Sequence, residues 1–332
     1  MYAKVRQYRV EVQKETIKAF KEFGYTHAET KKFIALDSPE IAAEIKKAKF
    51  YKNASSLARK VVAEKQETPT IEVVNLDCLL EALRLKKLGF NPILLNMASN
   101  TSVGGGYKSG AGAQEENLFR RTNLFEYHEP KKNEWYPIPE FGGIYCPNAT
   151  VIRSSEADKY SFLEVPEKMS FVAVSALRRP KIISNPSGGH TMHPEAKDTT
   201  RKKIQAILNI GLENGHDCII LSAFGCGAFR NPPSIIAQLF YEVISEEYAG
   251  GGKNLPRTYR HISFAIIDDQ NANKKHNVEG NYVPFQRRFA NGIVDESHSN
   301  MHNETQTTKE GRHSTSSHSN YEKKKDEAIR KE

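Results

Sequence analysis

The chain has 332 residues, 38% hydrophobic and 27% charged, with one Trp, four Cys and a formal net charge of +8. This is the make-up of a folded, soluble protein of one large or two ordinary domains. The longest apolar runs, such as "CIILSAF" at 218–224, are too short to span a bilayer, and the cysteines show neither CxxC spacing nor a disulfide framework.

The first residues, "MYAKVRQYRVEVQKETIKAF", have no apolar core or cleavage site, so no secretory signal is expected. Residues 1–69 are helical in pattern, as in "SPEIAAEIKKAKFY" (38–51) and "SSLARKVVAEK" (55–65), and lack a strong strand. They are expected to form a helical extension packed on the following domain. From residue 70 strands and helices alternate. "TIEVV" (70–74) reads as a strand, and "DCLLEALRLKKLG" (77–89) as a helix with Leu79, Leu80, Leu83 and Leu88 on one stripe and Gly89 as its stop. "PILLN" (92–96) reads as a buried strand that runs straight into a glycine-rich loop. A helix is expected over Gln114–Tyr127, and "FVAVSA" (171–176) is a further strand. "TRKKIQAILNIGLENG" (200–215) spaces Ile204, Ile207, Leu208 and Leu212 as a helix. "CIILS" (218–222) is a strand, and the loop "FGCGAFRN" (224–231) follows it. Pro232 and Pro233 then open a helix behind a capping Asn231, with Ile235, Ile236, Leu239, Phe240 and Val243 inward. "HISFAII" (261–267) is the last strand. Apolar strands alternating with helices argue for an α/β sheet covered on both faces. The main domain is expected over residues 70–290, with residues 291–332 a disordered polar tail. Beyond residue 290 seven Lys/Arg face eight Asp/Glu, so the body carries nine excess positive charges, which suits a polyanionic partner.

The loop "SVGGGYKSGAGAQEENLFRRTNLF" (102–125) fits neither GxxxxGK[ST] nor GxGxxG, so it is not a standard nucleotide fingerprint. Its physics still suits a phosphate: Gly104, Gly105 and Gly106 permit a tight turn, successive amides make an anion-binding concavity, and a helix N-terminus follows. The second loop has the same strand–glycine–helix context, so two loops at one sheet edge could grip one diphosphate. Glu115 and Glu116 cannot flank a glycosidic bond as an opposed pair, because neighbouring side chains diverge on a helix. Their roles should therefore differ. A helix N-terminus favours the ionised carboxylate, whereas burial and a nearby phosphate favour the neutral acid that proton donation needs.

The stretch "LLNMASNTSVGGGYKSGAGAQEENLFRRTNLFEYHE" (94–129), with GGG followed by QEE, resembles the signature of microbial-type poly(ADP-ribose) glycohydrolases, which are macrodomain enzymes. "IYCPNATVIR" (144–153) and "LSAFGCGAFRNPP" (221–233) are similar to later segments of that family, so the resemblance covers roughly residues 70–290. It implies a macrodomain-like three-layer α/β/α fold with a mixed central sheet and the N-terminal helical extension. It implies that Glu116 is the general acid/base at the ribose–ribose bond, that Glu115 positions hydroxyls and that Gln114 shapes the site. Gly104, Gly105, Gly106, Gly225, Cys226, Gly227 and Ala228 would enclose the diphosphate, Phe229 would pack on the distal ribose and Asn96 would support it. By analogy Asp77 would meet the adenine. The implied partners are poly(ADP-ribose) or ADP-ribosylated macromolecules, with ADP-ribose as product. No metal or redox cofactor, no membrane and no direct nucleic-acid binding are expected, and the enzyme is expected to be an intracellular monomer of cytoplasm or nucleus. The alternatives are an ADP-ribose reader without turnover, a hydrolase of mono-ADP-ribose on protein or nucleic acid, and a basic nucleic-acid-binding protein.

Three other features read as ordinary structure. Cys226 between two glycines has no assignable base and is expected to pack. His190 and His193 near Glu195 lack further metal ligands in a recognisable pattern. Arg230 and the double proline depart from the family pattern, and Arg230 is read as solvated rather than as a contact to a second ADP-ribose unit.

Overall fold

The structure is a computed structural model that describes residues 2–62, 67–184, 188–248, 255–268, 272 and 277–293. The tail expected over 291–332 lies outside the described residues from 294 onward. In chain order the elements are α1 (Tyr2–Lys21), β1 (Gly24–Thr26), β2 (Phe33–Ala35), α2 (Ser38–Lys46), β3 (Lys49–Tyr51) and β4 (Val61–Val62). There follow β5 (Thr70–Val74), α3 (Cys78–Lys87), β6 (Pro92–Met97), α4 (Gln114–Arg121), α5 (Leu124–His128) and α6 (Lys132–Trp135). Next come β7 (Gly143–Arg153), β8 (Phe162–Val174), β9 (Ile182–Ser184), β10 (His190–Met192) and α7 (Pro194–Glu213). The last are β11 (Cys218–Leu221), α8 (Pro233–Tyr248), β12 (Leu255–Pro256), β13 (His261–Ala265) and α9 (Tyr282–Phe289).

The central sheet has seven strands in the order β3-β7-β8-β6-β11-β13-β5. Strands β8, β6, β11, β13 and β5 run parallel, while β7 is antiparallel to β8 and β3 to β7, so the sheet is mixed. Alternate side chains of one strand enter opposite layers. Ile93 and Leu95 of β6 join Ile204 and Ile207 of α7 and Ile236 and Phe240 of α8. Leu94 faces the other layer, with Leu79 and Leu85 of α3, Phe119 of α4 and Phe20 of α1. This is the expected three-layer α/β/α arrangement, and it explains why β6 and β11 read as continuous apolar runs.

Residues before 70 differ from the helical reading. They include α1 and α2, the latter capped by Asp37, which accepts the Glu40 amide at 2.9 Å. They also hold four short strands, and β3 forms one edge of the central sheet. The stretch 55–65 is not helical over its described residues, because its backbone finds tertiary partners instead: Asn209 Nδ2 donates to the carbonyls of Ala54 and Ser55 at 3.1 and 3.2 Å. The expected single helix 114–127 is two helices. Thr122 is extended and bridges to Val151 of β7, and the Asn123 amide donates to Thr150 O at 3.2 Å. A sheet contact thus overrides helix propensity. Strand β7 contains Pro147 and Asn148 at a bulge, with Asn148 at φ 45°, so the sequence looks like a turn where a strand continues. Asn231 does not cap α8: Pro232 O accepts the Ile236 amide at 3.0 Å, and the Asn231 side chain turns back on the preceding loop.

Asp77 caps α3, accepting the amides of Leu79 and Leu80 at 3.1 and 3.0 Å, and pairs with Arg121 Nη1 at 2.8 Å. The Arg121 side chain is 1% exposed. Asp77→Ala is therefore expected to cost about 3 kcal/mol or more, since it uncaps α3 and strands a buried guanidinium. Thermal denaturation checks this, with Asp77→Asn losing less because a capping oxygen remains; an equal small loss in both variants would contradict the assignment.

Candidate active site

The site is assembled at the carboxyl ends of β6 and β11, which are adjacent and parallel with Ile220 opposite Leu94. Each strand feeds one glycine loop, which places both loops on the same sheet edge, where open α/β sheets bind ligands. Asn96 lies at the end of β6, fully buried, on the strand face shared with Leu94 and hence toward α4.

Helix α4 is fixed to that strand end by its first residue. Gln114 Oε1 accepts the Met97 amide at 2.9 Å, and Gln114 Nε2 donates to Leu95 O at 2.6 Å. The side chain thus extends the strand ladder and sets where the next two residues point. Glu115 Oε2 accepts the Ser99 amide at 2.8 Å, and Glu116 Oε1 accepts the Gly106 amide at 2.9 Å. Both carboxyls close on Gly105. A Cβ at that position would lie 2.4 Å from Glu116 Oε1 and 3.0 Å from Glu115 Oε2, and its φ of +55° suits glycine independently. Gly104, at φ +62°, is closed off by the rings of Tyr107 and Phe119, whose centroids are 5.1 Å apart.

Two carboxylates in one buried corner have an electrostatic consequence. Burial above all, and the charge of Glu116 as well, push the Glu115 carboxyl well above the usual carboxylate range, against the opposing hydrogen bond from Ser99. Buried polar atoms normally find partners. Here Glu115 Oε1, Glu116 Oε2 and both amide atoms of Asn96 are buried without one. Each such group costs about 1–3 kcal/mol unless something fills the space. These atoms lie where β6 ends and α4 begins.

The second loop is rigid for a different reason. Asn231 Nδ2 donates to Gly225 O at 3.0 Å and to Leu177 O at 2.7 Å, joining the loop to the chain leaving β8. Gly225 has φ +74°, and a Cβ there would lie 2.6 Å from Ala176 Cβ. The Cys226 thiol is buried beside Phe224 O, at 3.8 Å, in a packing position. Gly227 O accepts the Arg230 amide, Ala228 is exposed, and Phe229 is half-buried with its carbonyl on the Arg179 amide at 2.7 Å. The structure therefore brings together Asn96, Gly104–Gly106 and Gln114–Glu116, with 225–229 on the neighbouring strand end. Asp77 stands at the start of α3 with both oxygens engaged by structural partners. His193 Nδ1 lies 3.7 Å from Glu195, and among the described residues no group of three or more His, Cys, Asp or Glu converges as a metal site. Sequence reasoning missed the Ser99 amide, which no residue type encodes, and the role of Asn231, whose position before two prolines imitates a helix cap.

Residues 13–154, which contain the triple glycine, Gln114 and both glutamates, match the family model described as microbial-type PARG, catalytic domain. The matched segment covers less than half of the chain. No curated protein matches it. Its fold is similar to that of poly(ADP-ribose) glycohydrolase (PARG) from Thermomonospora curvata, at 24% identity and a TM-score of 0.65, covering 86% of this chain and 100% of that one. The same enzyme bound to the inhibitor ADP-HPD matches with a TM-score of 0.63 at 24% identity, over 86% and 100% of the two chains. PARG from Deinococcus radiodurans in complex with ADP-ribose matches at 22% identity and a TM-score of 0.59, over 77% of this chain and 99% of that one. At these identities the likeness establishes a common fold.

Because its folded-state carboxyl is raised, Glu115 contributes stability below the ordinary carboxylate range that is lost as pH rises through the raised value. Glu115→Gln removes that loss. Its melting temperature is expected to exceed the wild type by a margin that grows from near zero at about pH 4 to a plateau above the Glu115 titration. A margin independent of pH would contradict the assignment.

Proposed function

We propose that the chain hydrolyses the ribose–ribose O-glycosidic bond of poly(ADP-ribose) and releases ADP-ribose. The observation that carries the reading is the cluster of unpartnered buried atoms, Glu115 Oε1, Glu116 Oε2 and the Asn96 amide, beneath the amides of the first glycine loop. The turn Gly104–Gly106 and residues 225–229 enclose the diphosphate, with main-chain donors coming from the second loop, and Phe229 packs on the distal ribose. Asn96 and Glu115 bind ribose hydroxyls, for which a raised carboxyl can donate as well as accept. Gln114 acts as a positioning residue through its bonds to β6.

Glu116 performs the proton transfers. Its free Oε2 gives a proton to the bridging oxygen as the anomeric C–O bond breaks through an oxocarbenium-like transition state. The same carboxylate then takes a proton from the water that adds to the anomeric carbon, which restores the acid. The charge of the bound diphosphate favours the neutral form of carboxyls beside it. Main-chain donors fix the pyrophosphate and so convert binding into alignment of the scissile bond. The four cysteines are buried and form no disulfide, which fits an intracellular setting, and among the described residues no helix is long and apolar enough to cross a membrane.

Glu116→Gln is expected to lower kcat on poly(ADP-ribose) by about 10²–10⁴-fold, with the dissociation constant for ADP-ribose changed only a few-fold. Chromatographic release of ADP-ribose, beside a binding titration, reads both quantities. Equal turnover by the two proteins would remove Glu116 from the chemistry, and binding without turnover in the wild type would make the chain a reader.

A further inference from the structure

The chain leaving β8 carries Arg178, Arg179 and Lys181, and the second glycine loop ends on Arg230; all four side chains are exposed. Most surface arginines of this protein are engaged: Arg84 with Glu72 and Glu81, Arg201 with Glu242 and Glu246, Arg260 with Asp217, Arg287 with Glu279. Among the described residues, the side chains of Arg178, Arg179, Lys181 and Arg230 have neither an ion pair nor a hydrogen bond. Three unpaired arginines and a lysine are thus gathered on two loops.

Backbone contacts place these two loops at the rim of the active site. Strand β8 pairs with β6 so that Ala173 lies opposite Asn96, and Val174 O accepts the Ala98 amide at 3.1 Å. The next residues pack on the second glycine loop: Leu177 O accepts from Asn231, and the Arg179 amide donates to Phe229 O at 2.7 Å. Arg179 and Arg230 have left-handed backbones, with φ of 51° and 57°. Like charges held together without counter-ions at this rim present a positive patch to an incoming anion.

We propose that Arg178, Arg179, Lys181 and Arg230 form an anionic subsite that binds the diphosphate of a further ADP-ribose unit of the polymer. The proposal rests on the functional reading above and extends it from one unit to the chain. Every repeat of poly(ADP-ribose) carries another diphosphate, so a polymer seated in the cradle must run its next charges past a rim. Arginine suits this contact because its planar fork can bind a phosphate through two donors at once. The rim therefore makes the enzyme prefer long chains, through KM rather than kcat, and makes that preference sensitive to salt.

The test compares wild type with Arg178→Gln/Arg179→Gln/Arg230→Gln, in which glutamine keeps side-chain length and adds no new backbone demand. A second variant, Arg178→Glu, changes one exposed residue with an ordinary backbone. The expected triple-variant result on long poly(ADP-ribose) at low salt is a KM raised about tenfold, with the dependence of log KM on log salt shallower by about 2. ADP-ribose affinity and kcat are expected to stay within twofold. Arg178→Glu is expected to raise the long-chain KM by about threefold or more. An unchanged long-chain KM and salt slope in both variants would overturn the subsite while leaving the enzyme intact. A wild type that neither binds ADP-ribose nor releases it would overturn the functional reading and this inference together. Loss of single-stranded DNA binding in the triple variant, with its polymer KM unmoved, would assign the rim to nucleic acid instead.

Discussion

The approach of Gly105 to the carboxyls of Glu115 and Glu116 is the contact on which the rest of the site depends. A single added carbon there would lie 2.4 Å from one carboxylate oxygen and 3.0 Å from another. Because the backbone comes so close, the loop and the acids are locked together, with the Gly106 amide donating to Glu116 Oε1 at 2.9 Å. The cost is visible in the same place: a carboxyl pushed well above its usual range, and buried oxygens and amide atoms with no partner in the protein.

The glycine loop is held from behind by residues with no chemical role. Arg6 of α1 donates to Ser109 O through Nε and Nη2 at 3.1 and 2.9 Å. A Cβ on Gly110 would meet the Arg6 carbonyl at 2.3 Å, and one on Gly112 would meet the Arg9 guanidinium at 2.1 Å. Arg9 is in turn held by Glu156 at 2.8 Å, and Arg120 Nη1 donates to Ala111 O at 2.8 Å. The later glycines of the motif therefore serve the packing of the N-terminal helix, while Gly104 and Gly105 serve the site. One glycine-rich string does two jobs.

Much of this was legible in the sequence, for identifiable reasons. Continuous apolar runs such as Ile93–Leu95 and Cys218–Leu221 are buried on both faces, so their strands and the covering helices could be read directly. The Gly-Gly-Gly and Gln-Glu-Glu segments stood out because backbone approach and buried acid leave no other residue choices. What could not be read was long-range. The break at Thr122 depends on Val151, the non-helical stretch after Ala54 depends on Asn209, and the seventh strand comes from β3 near the start of the chain. Gln114 is the instructive case: a residue expected to shape the pocket is found completing a strand ladder, and it aims the two residues beside it.

The most direct measurement is a crystal structure of the full chain with ADP-ribose. The prediction is a diphosphate between the two glycine loops, with oxygens at about 3 Å from main-chain amides of the second, and distal ribose hydroxyls on the unpartnered atoms of Glu115, Glu116 and Asn96. A nucleotide bound away from these loops, or one that leaves Glu116 facing bulk water, would contradict it.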